Sequence, residues 1–233
     1  MSNIVLFGDQ TADQYSLLRK ISLRRDNALL TTFLERVAVA LREEIRKLPR
    51  SQREAIPDFL TVQHLVEAYY EKGVRIAPVE SCLVTIAQLS HYIGFYSENP
   101  SEVPAPFNTR VIGLCTGLLA GAAIASAKTL NDLIPIAVEM VRISFRTGST
   151  VGTAKDALEQ NTTDRLSWST IVTGTSEQAA KEALAAFHQE KGIPVSSQAY
   201  VSAVSVMAVT ISGPPSTTQR LFQDSEALRK NHR

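Results

Sequence analysis

The run Arg110–Gly121 constrains the fold of this chain more than any other stretch. An apolar, strand-like segment enters a turn flanked by glycines, and a segment of small residues follows. Gly113 and Gly117 allow a sharp backbone path and a close approach of strand and helix. Cys115 stands at the apex, in a G-x-C-x-G version of the G-x-S-x-G nucleophile elbow. The pattern therefore predicts a strand, a tight turn and a helix, with Cys115 projecting above the edge of a sheet.

A cysteine in this position is a candidate covalent acyl acceptor. The helix start beneath its sulfur carries partial positive charge, which favours thiolate over thiol. The alternative is that Cys115 is only a small buried residue in a strand-to-helix turn. Cys82 lies in the apolar stretch Val79–Thr85 and is expected in the core, where free cysteines are commonly found.

Length and composition are those of an ordinary globular protein. The chain has 233 residues, 44% hydrophobic and 20% charged, which is enough to bury a core. A net charge of +1 without a basic patch argues against a nucleic-acid partner. The two cysteines lack CxxC spacing and no His/Cys cluster resembles a zinc site, so no bound metal is expected. Neither a signal peptide nor a membrane span is predicted, and a cytoplasmic location is expected.

Hydrophobic spacing divides the chain into two parts, 1–163 and 164–233. A short strand is predicted at Ile4–Phe7. Helices of the first part are predicted at 27–47, 61–72, 79–96, 116–127 and 130–146. The second part is predicted as a strand at 166–172, a helix at 176–190, one long strand or a pair at 200–211, and a helix at 216–230. This order matches the split βαβ unit of ferredoxin-like folds without its last strand.

Three stretches resemble the starter-unit acyl-carrier-protein transacylase domain of fungal non-reducing polyketide synthases. Val5–Thr11 looks like the first strand and loop of that family, residues 113–117 like its GxCxG active-site motif, and Val141–Arg146 like the helix after the elbow. The resemblance covers essentially the whole chain in order. It implies an α/β fold of the malonyl-transacylase type, with an α/β-hydrolase-like large subdomain and a ferredoxin-like small subdomain.

The resemblance also implies a function. A transacylase of this family takes an acyl group from coenzyme A or a fatty-acid synthase carrier onto its cysteine, here Cys115. It passes the group to the phosphopantetheine of an acyl carrier protein, which primes aromatic polyketide synthesis. A ketosynthase is a further expected partner, and the acyl thioester is a substrate rather than a bound cofactor. Donor, intermediate and acceptor are all thioesters, so each exchange is close to isoenergetic.

Four further residues receive roles from the resemblance. The backbone N–H groups of Gln10 and Thr116 are the implied oxyanion-hole donors. Arg142 and Arg146 lie on the helix where malonyl-specific relatives use an arginine to bind the substrate carboxylate. Because starter units in this family are usually uncharged, the alternative is that both arginines form structural ion pairs.

The family's catalytic histidine, in a Tyr-His-Ala-Pro-His-like segment after the small subdomain, has no counterpart in this sequence. The chain is therefore expected to be a truncated product or a piece of a larger synthase. None of its own histidines is a good substitute as general base, because a lone histidine on a helix is usually structural or solvated. The four histidines are His64, His91, His188 and His232.

Two other functions compete with acyl transfer. A chain without the histidine segment fits a non-catalytic remnant or docking module. A G-x-C-x-G elbow also occurs in class I glutamine amidotransferases, which need a His-x-Glu pair downstream. His188-Gln189-Glu190 has that spacing but lies within a predicted helix, whereas a triad is defined by geometry.

Overall fold

The computed structural model describes residues 3–8, 14–72, 76–104, 108–159, 167–225 and 228. The chain forms two compact units, Met1–Gly152 and Thr153–Arg233. The sequence predicts this division at residue 163. In the structure the division lies within a helix, which continues beyond residue 146, where the sequence predicts its end.

The first unit contains a pair of strands and seven α-helices in its described residues. In chain order the elements are β1 (Asn3–Phe7), α1 (Gln14–Ser22), α2 (Ala28–Arg46), α3 (Arg50–Ala55), α4 (Val62–Lys72), α5 (Ala77–Glu98), β2 (Thr109–Gly113), α6 (Gly117–Ser126) and α7 (Leu130–Leu158). The short helices α1 and α3 are additional to the predicted ones. The apolar spacing that predicts α2 places a stripe of side chains in the core, where Leu30, Phe33, Val37 and Leu41 are fully buried.

The two strands of this unit run parallel, with Phe7 opposite Gly113 at their carboxyl ends. Side chains alternate between the faces of the pair, as the two-residue period of a strand requires. Phe7 packs in the core, and Val5 and Val111 pack against it. The pairing brings the segment after β1 and the turn after β2 to the same edge, which is where the sequence predicts the active site.

The second unit has its own sheet and core. Its elements are β3 (Ser169–Thr173), α8 (Glu177–Lys191), β4 (Tyr200–Val204), β5 (Ala208–Ser212) and α9 (Pro215–Asp224). The strands are antiparallel in the order β3-β5-β4. The long apolar stretch from Tyr200 is therefore a hairpin, which turns where the Ser205 amide donates to the Ala208 carbonyl at 2.8 Å. This is the arrangement of a split βαβ unit without its last strand.

Candidate active site

Cys115 occupies the turn between β2 and α6 with a strained backbone. Among the described residues other than glycine it alone has a positive φ, 53°. This left-handed conformation costs a non-glycine residue about 1–2 kcal/mol. Its thiol is free and exposed. An exposed cysteine on a strained strand-to-helix turn is the geometry that the G-x-C-x-G pattern predicts.

The two motif glycines are required by close backbone contacts. A Cβ at Gly113 would lie 2.5 Å from Leu118 Cα, in the first turn of α6. A Cβ at Gly117 would touch the Phe7 carbonyl oxygen and would lie 2.6 Å from that of Gly8. Side chains at either position would push the helix away from the strands. The glycines therefore set how near α6 begins to the ends of β1 and β2.

The backbone amide of Thr116, next to the cysteine, has no backbone acceptor within the described ranges. The following amides are already engaged, since Gly117 N–H donates to Leu114 O at 2.9 Å and Leu118 N–H to Cys115 O at 3.1 Å. A free N–H at the start of a helix is able to stabilise negative charge. The oxyanion role of the Thr116 amide stays a prediction.

Gln10, the expected second donor, lies outside the described residues. The strand that leads to it is fixed against the elbow, because Leu114 N–H donates to the Phe7 carbonyl at 2.9 Å. Gln88 of α5 has no part in the predicted site, yet its Nε2 donates to the Gly8 carbonyl at 2.6 Å. The sequence signal that points to Gln88 is a long polar side chain within the mostly apolar stretch 82–89 of a helix.

Arg142 and Arg146 of α7 are both paired with carboxylates of α2. Arg142 donates to Glu43 at 2.5 Å and to Glu44 at 3.1 Å. Arg146 binds Glu44 through two nitrogens, each at 2.8 Å. These contacts, led by the one from Arg146, lower the pKa of Glu44 to about 2 although burial opposes the shift. The structure thus shows the ion pairs that the sequence offers as an alternative, and substrate binding by these arginines stays a prediction.

The histidines that the structure describes are on helices. His64 and His91 are exposed. His188 is half-buried on α8, where its Nε2 accepts the Ala199 amide at 3.2 Å and burial lowers its pKa. Glu190 follows two residues later on the same helix, so the two side chains point in different directions. This helical placement does not support the His-x-Glu pair of an amidotransferase, and His232 lies outside the described residues.

Cys82 is fully buried in α5, as predicted. Its Sγ donates to the Val79 carbonyl at 3.2 Å, and burial raises the pKa of the thiol. An uncharged, enclosed thiol is a poor nucleophile. Of the two cysteines, Cys115 is therefore the one placed for covalent chemistry.

The described ranges lack two other kinds of feature, a metal-binding cluster and a membrane-spanning helix. No group of three or more His, Cys, Asp or Glu side chains is arranged to hold a metal ion. None of the described helices combines the length and the apolar character needed to cross a bilayer.

Comparison with known proteins relates the chain to one family and one fold. A family profile described as starter unit:ACP transacylase in aflatoxin biosynthesis matches residues 5–233. Non-reducing polyketide synthases of Zymoseptoria tritici and Elsinoe fawcettii are 59% and 54% identical to the chain over 233 residues. These matches cover the whole chain but only 11% of each synthase.

Solved structures of bacterial transacylases share the fold. The malonyl CoA-acyl carrier protein transacylase of Coxiella burnetii superposes with a TM-score of 0.59 at 12% identity, over 100% of this chain and 60% of that one. The acyl-carrier-protein S-malonyltransferase of Bartonella henselae gives a TM-score of 0.56 at 12% identity, over 99% and 60%. The predicted α/β fold of the malonyl-transacylase type is confirmed.

Proposed function

The chain belongs to the starter unit:ACP transacylase family, and on that premise we propose that it transfers a starter acyl group through a thioester on Cys115. The observation that carries the proposal is the elbow itself. An exposed thiol sits on a strained backbone directly before an amide that has no backbone acceptor in the described ranges. Such strain persists where the surrounding structure fixes it, and it is concentrated at functional sites.

The proposed chemistry consists of two thioester exchanges. Cys115 Sγ, having lost its proton to solvent, attacks the carbonyl carbon of an acyl thioester of coenzyme A and forms a carbon–sulfur bond. The oxyanion of the tetrahedral intermediate accepts hydrogen bonds from Thr116 N–H and, by family resemblance, Gln10 N–H. Collapse breaks the bond to the coenzyme A sulfur, which leaves as a thiolate and takes up a proton. The thiol of a carrier-bound phosphopantetheine then displaces Cys115 in the same way.

The preferred acyl group in this proposal is uncharged. A substrate carboxylate would need a free guanidinium, and those of Arg142 and Arg146 are engaged by Glu43 and Glu44. Separating an arginine from the buried carboxylate of Glu44 costs more than breaking an exposed ion pair. Malonyl thioesters are therefore expected to be poorer donors than acetyl or longer unbranched ones.

The proposal includes the setting of the reaction. The acceptor is the acyl carrier protein of a fungal non-reducing polyketide synthase, and a fatty-acid synthase or a ketosynthase is a further partner. No bound cofactor takes part, since the acyl thioester brings its own activated carbonyl. The location is the cytoplasm.

Incubation of the chain with acetyl-, octanoyl- and malonyl-coenzyme A tests the proposal by intact-protein and peptide mass spectrometry. We expect an acyl adduct on Cys115 that a holo acyl carrier protein removes. Cys115→Ala should lose the adduct and Cys82→Ala should retain it, so the two cysteines serve as a matched pair. Absence of an adduct from the wild-type chain would exclude acyl transfer through Cys115 and favour a non-catalytic docking module. An adduct that persists in Cys115→Ala would likewise exclude Cys115 and would assign the acyl group to another residue.

A further inference from the structure

Gln88 is a buried amide in the middle of α5. Its side-chain Nε2 donates to the Gly8 carbonyl at 2.6 Å, while its Oε1 is buried without a partner among the described residues. An unpaired buried acceptor costs about 1–3 kcal/mol, which an apolar side chain at the same place would avoid. A carbonyl oxygen only accepts hydrogen bonds, so the nitrogen of Gln88 must be the group facing Gly8. The position therefore specifically requires a donor directed at Gly8.

The Gly8 carbonyl lies at the junction of β1 and the elbow. Phe7, the preceding residue, accepts the Leu114 amide at 2.9 Å. On the other side Gly117 is so close that a Cβ there would lie 2.6 Å from Gly8 O. The peptide after β1 is thus held between the side chain of Gln88 and the first residue of α6, one position beyond Thr116.

From this arrangement we infer that Gln88 is a positioning residue for acyl transfer. By holding the Gly8 carbonyl beside Gly117, it fixes the end of β1 against the start of α6, where the Thr116 amide lies. The inference rests on the proposed function, in which the Thr116 amide is an oxyanion donor. Gln88 itself touches neither substrate nor sulfur in this account.

The effect of losing the Gln88–Gly8 hydrogen bond follows from the sensitivity of oxyanion stabilisation to distance. Removing a whole donor costs about 10²–10³ in rate. Gln88→Met keeps the length of the side chain and removes its hydrogen bond, which displaces a donor without deleting it. We expect the second-order rate of Cys115 acylation by acetyl-coenzyme A to fall about 10- to 100-fold.

Thr85→Val is the matched control on the same helix. Thr85 is also fully buried, and its hydroxyl donates to Ser144 of α7 at 3.0 Å rather than to the β1 segment. The variant therefore loses a buried side-chain hydrogen bond of α5 away from Gly8. We expect acylation within about twofold of wild type, because the contact with Gly8 is intact.

Alkylation of Cys115 by iodoacetamide separates positioning from general damage to the site. Displacement of iodide at a saturated carbon forms no oxyanion, so it reports only the exposure and reactivity of the thiol. In Gln88→Met the alkylation rate should stay within about twofold of wild type while acylation falls.

Gln88→Glu provides a rescue that depends on pH. The ionised carboxylate is unable to donate, whereas the protonated acid has one O–H for Gly8. Its acylation rate, divided by that of wild type at the same pH, should therefore rise as the pH is lowered through the titration of the introduced acid. Gln88→Met should show a constant ratio.

The results separate this inference from the proposed function. If wild type is acylated and Gln88→Met equals it, or if acylation and alkylation fall together, or if Thr85→Val is equally impaired, the positioning role is wrong and acyl transfer stands. If wild type takes no acyl group, the proposed function fails and the role of Gln88 fails with it. A selective loss in Gln88→Met with acid rescue of Gln88→Glu supports both.

Discussion

At the scale of single residues, Cys115 has a backbone conformation that suits its proposed function but lowers the stability of the fold. Its φ of 53° suits glycine better than any residue with a Cβ. Cys115→Gly and Cys115→Ala both remove the sulfur and should both abolish acylation. We predict that Cys115→Gly is more stable than Cys115→Ala by about 0.5–1 kcal/mol, since the left-handed strain is relieved.

Urea denaturation of the two variants measures this difference directly. Both lack the thiol, so the comparison is free of any contribution from the sulfur. Equal midpoints with equal slopes would contradict the view that the elbow is held in a strained conformation.

Glu44 is a buried carboxylate of the first unit that pairs with several basic side chains. Its side chain is only 4% exposed, and the contacts with Arg146, Lys47 and Arg142 hold its pKa near 2, below the ordinary 4.5. A lowered folded-state pKa stabilises the fold above the unfolded-state value and ceases to do so as pH falls through the folded one. This contribution should be complete at neutral pH and should disappear between about pH 4.5 and 2.

Glu44→Gln tests this contribution. The shift corresponds to about 3 kcal/mol at neutral pH, so the variant should be less stable by about that amount and should lose less stability on acidification. The free energy of unfolding measured from pH 7 to 2.5 provides the comparison. Glu54→Gln is the control, because Glu54 is 62% exposed in its pair with Arg50 and should change stability by less than about 0.5 kcal/mol. A slope unchanged in Glu44→Gln would refute the assignment.

At the scale of helices, two glycines of α7 one turn apart test the packing against α5. A Cβ at Gly148 would lie 2.6 Å from Ala77 O and 2.7 Å from Pro78 Cα. At Gly152 the nearest atom is Ala77 Cβ at 3.4 Å, an ordinary contact. We predict that Gly148→Ala destabilises by about 2 kcal/mol or more through this clash, whereas Gly152→Ala is neutral or stabilising by up to about 1 kcal/mol.

Thermal unfolding of the two alanine variants checks this prediction. The substitutions are chemically identical and lie on the same helix, so helix propensity cancels between them. Equal melting temperatures would mean that α7 is able to move away from α5 at no cost.

In the second unit, α8 and the segment before β4 are joined by a neutral histidine. His188 accepts the Ala199 amide and its pKa lies below the ordinary 6.5 because burial disfavours the charged ring. Protonation removes the acceptor, so this contribution is present above about pH 6.5 and is lost as pH falls through the lower folded-state pKa. We predict that the unfolding free energy decreases from pH 7 to 5 and that the decrease is smaller in His188→Gln, which accepts without titrating. An identical decrease in both proteins would show that another group is responsible.

Local patterns explain which elements the sequence predicts. The apolar spacing of α2 and the turn around Cys115 depend on residues that are close in sequence, and both features are present in the structure. Helix α1 has only nine residues, too few for an apolar spacing to repeat over several turns, and the extension of α7 to Leu158 passes through Gly148 and other weak helix formers. The close contact with α5, not propensity, accounts for glycine at that point.

The contacts that define the site join distant parts of the chain, so a single sequence does not reveal them. Gln88 and Gly8 are 80 residues apart, and Arg146 and Glu44 are 102 apart. A motif identifies Cys115 because its chemistry depends on adjacent residues. The role of Gln88 can be inferred only when the structure shows that its side chain contacts the Gly8 carbonyl.

For the molecule as a whole, the β1–β2 pair has one packed face and one apolar face that is exposed. Ile4 and Leu6 are 65% and 67% exposed, and Ile112, opposite Leu6, is 48% exposed, while the charged Arg110 lies opposite Ile4. Alternation directs Val5 and Phe7 to the opposite side, where they pack with the core. Contiguous apolar surface of this kind promotes association in water.

We predict that the chain self-associates through this face, defined by Ile4, Leu6 and Ile112. The double variant Ile4→Thr and Leu6→Thr should shift the molecule toward a monomer in sedimentation velocity, because threonine suits a strand while reducing apolar surface. Its free energy of unfolding should change by less than about 1 kcal/mol, since the replaced side chains are already mostly solvated. Val5→Thr, on the same strand but facing inward, should lower stability without reducing association. A wild-type chain that sediments as a monomer at every concentration, or a double variant that associates like wild type, would rule out this face as the contact.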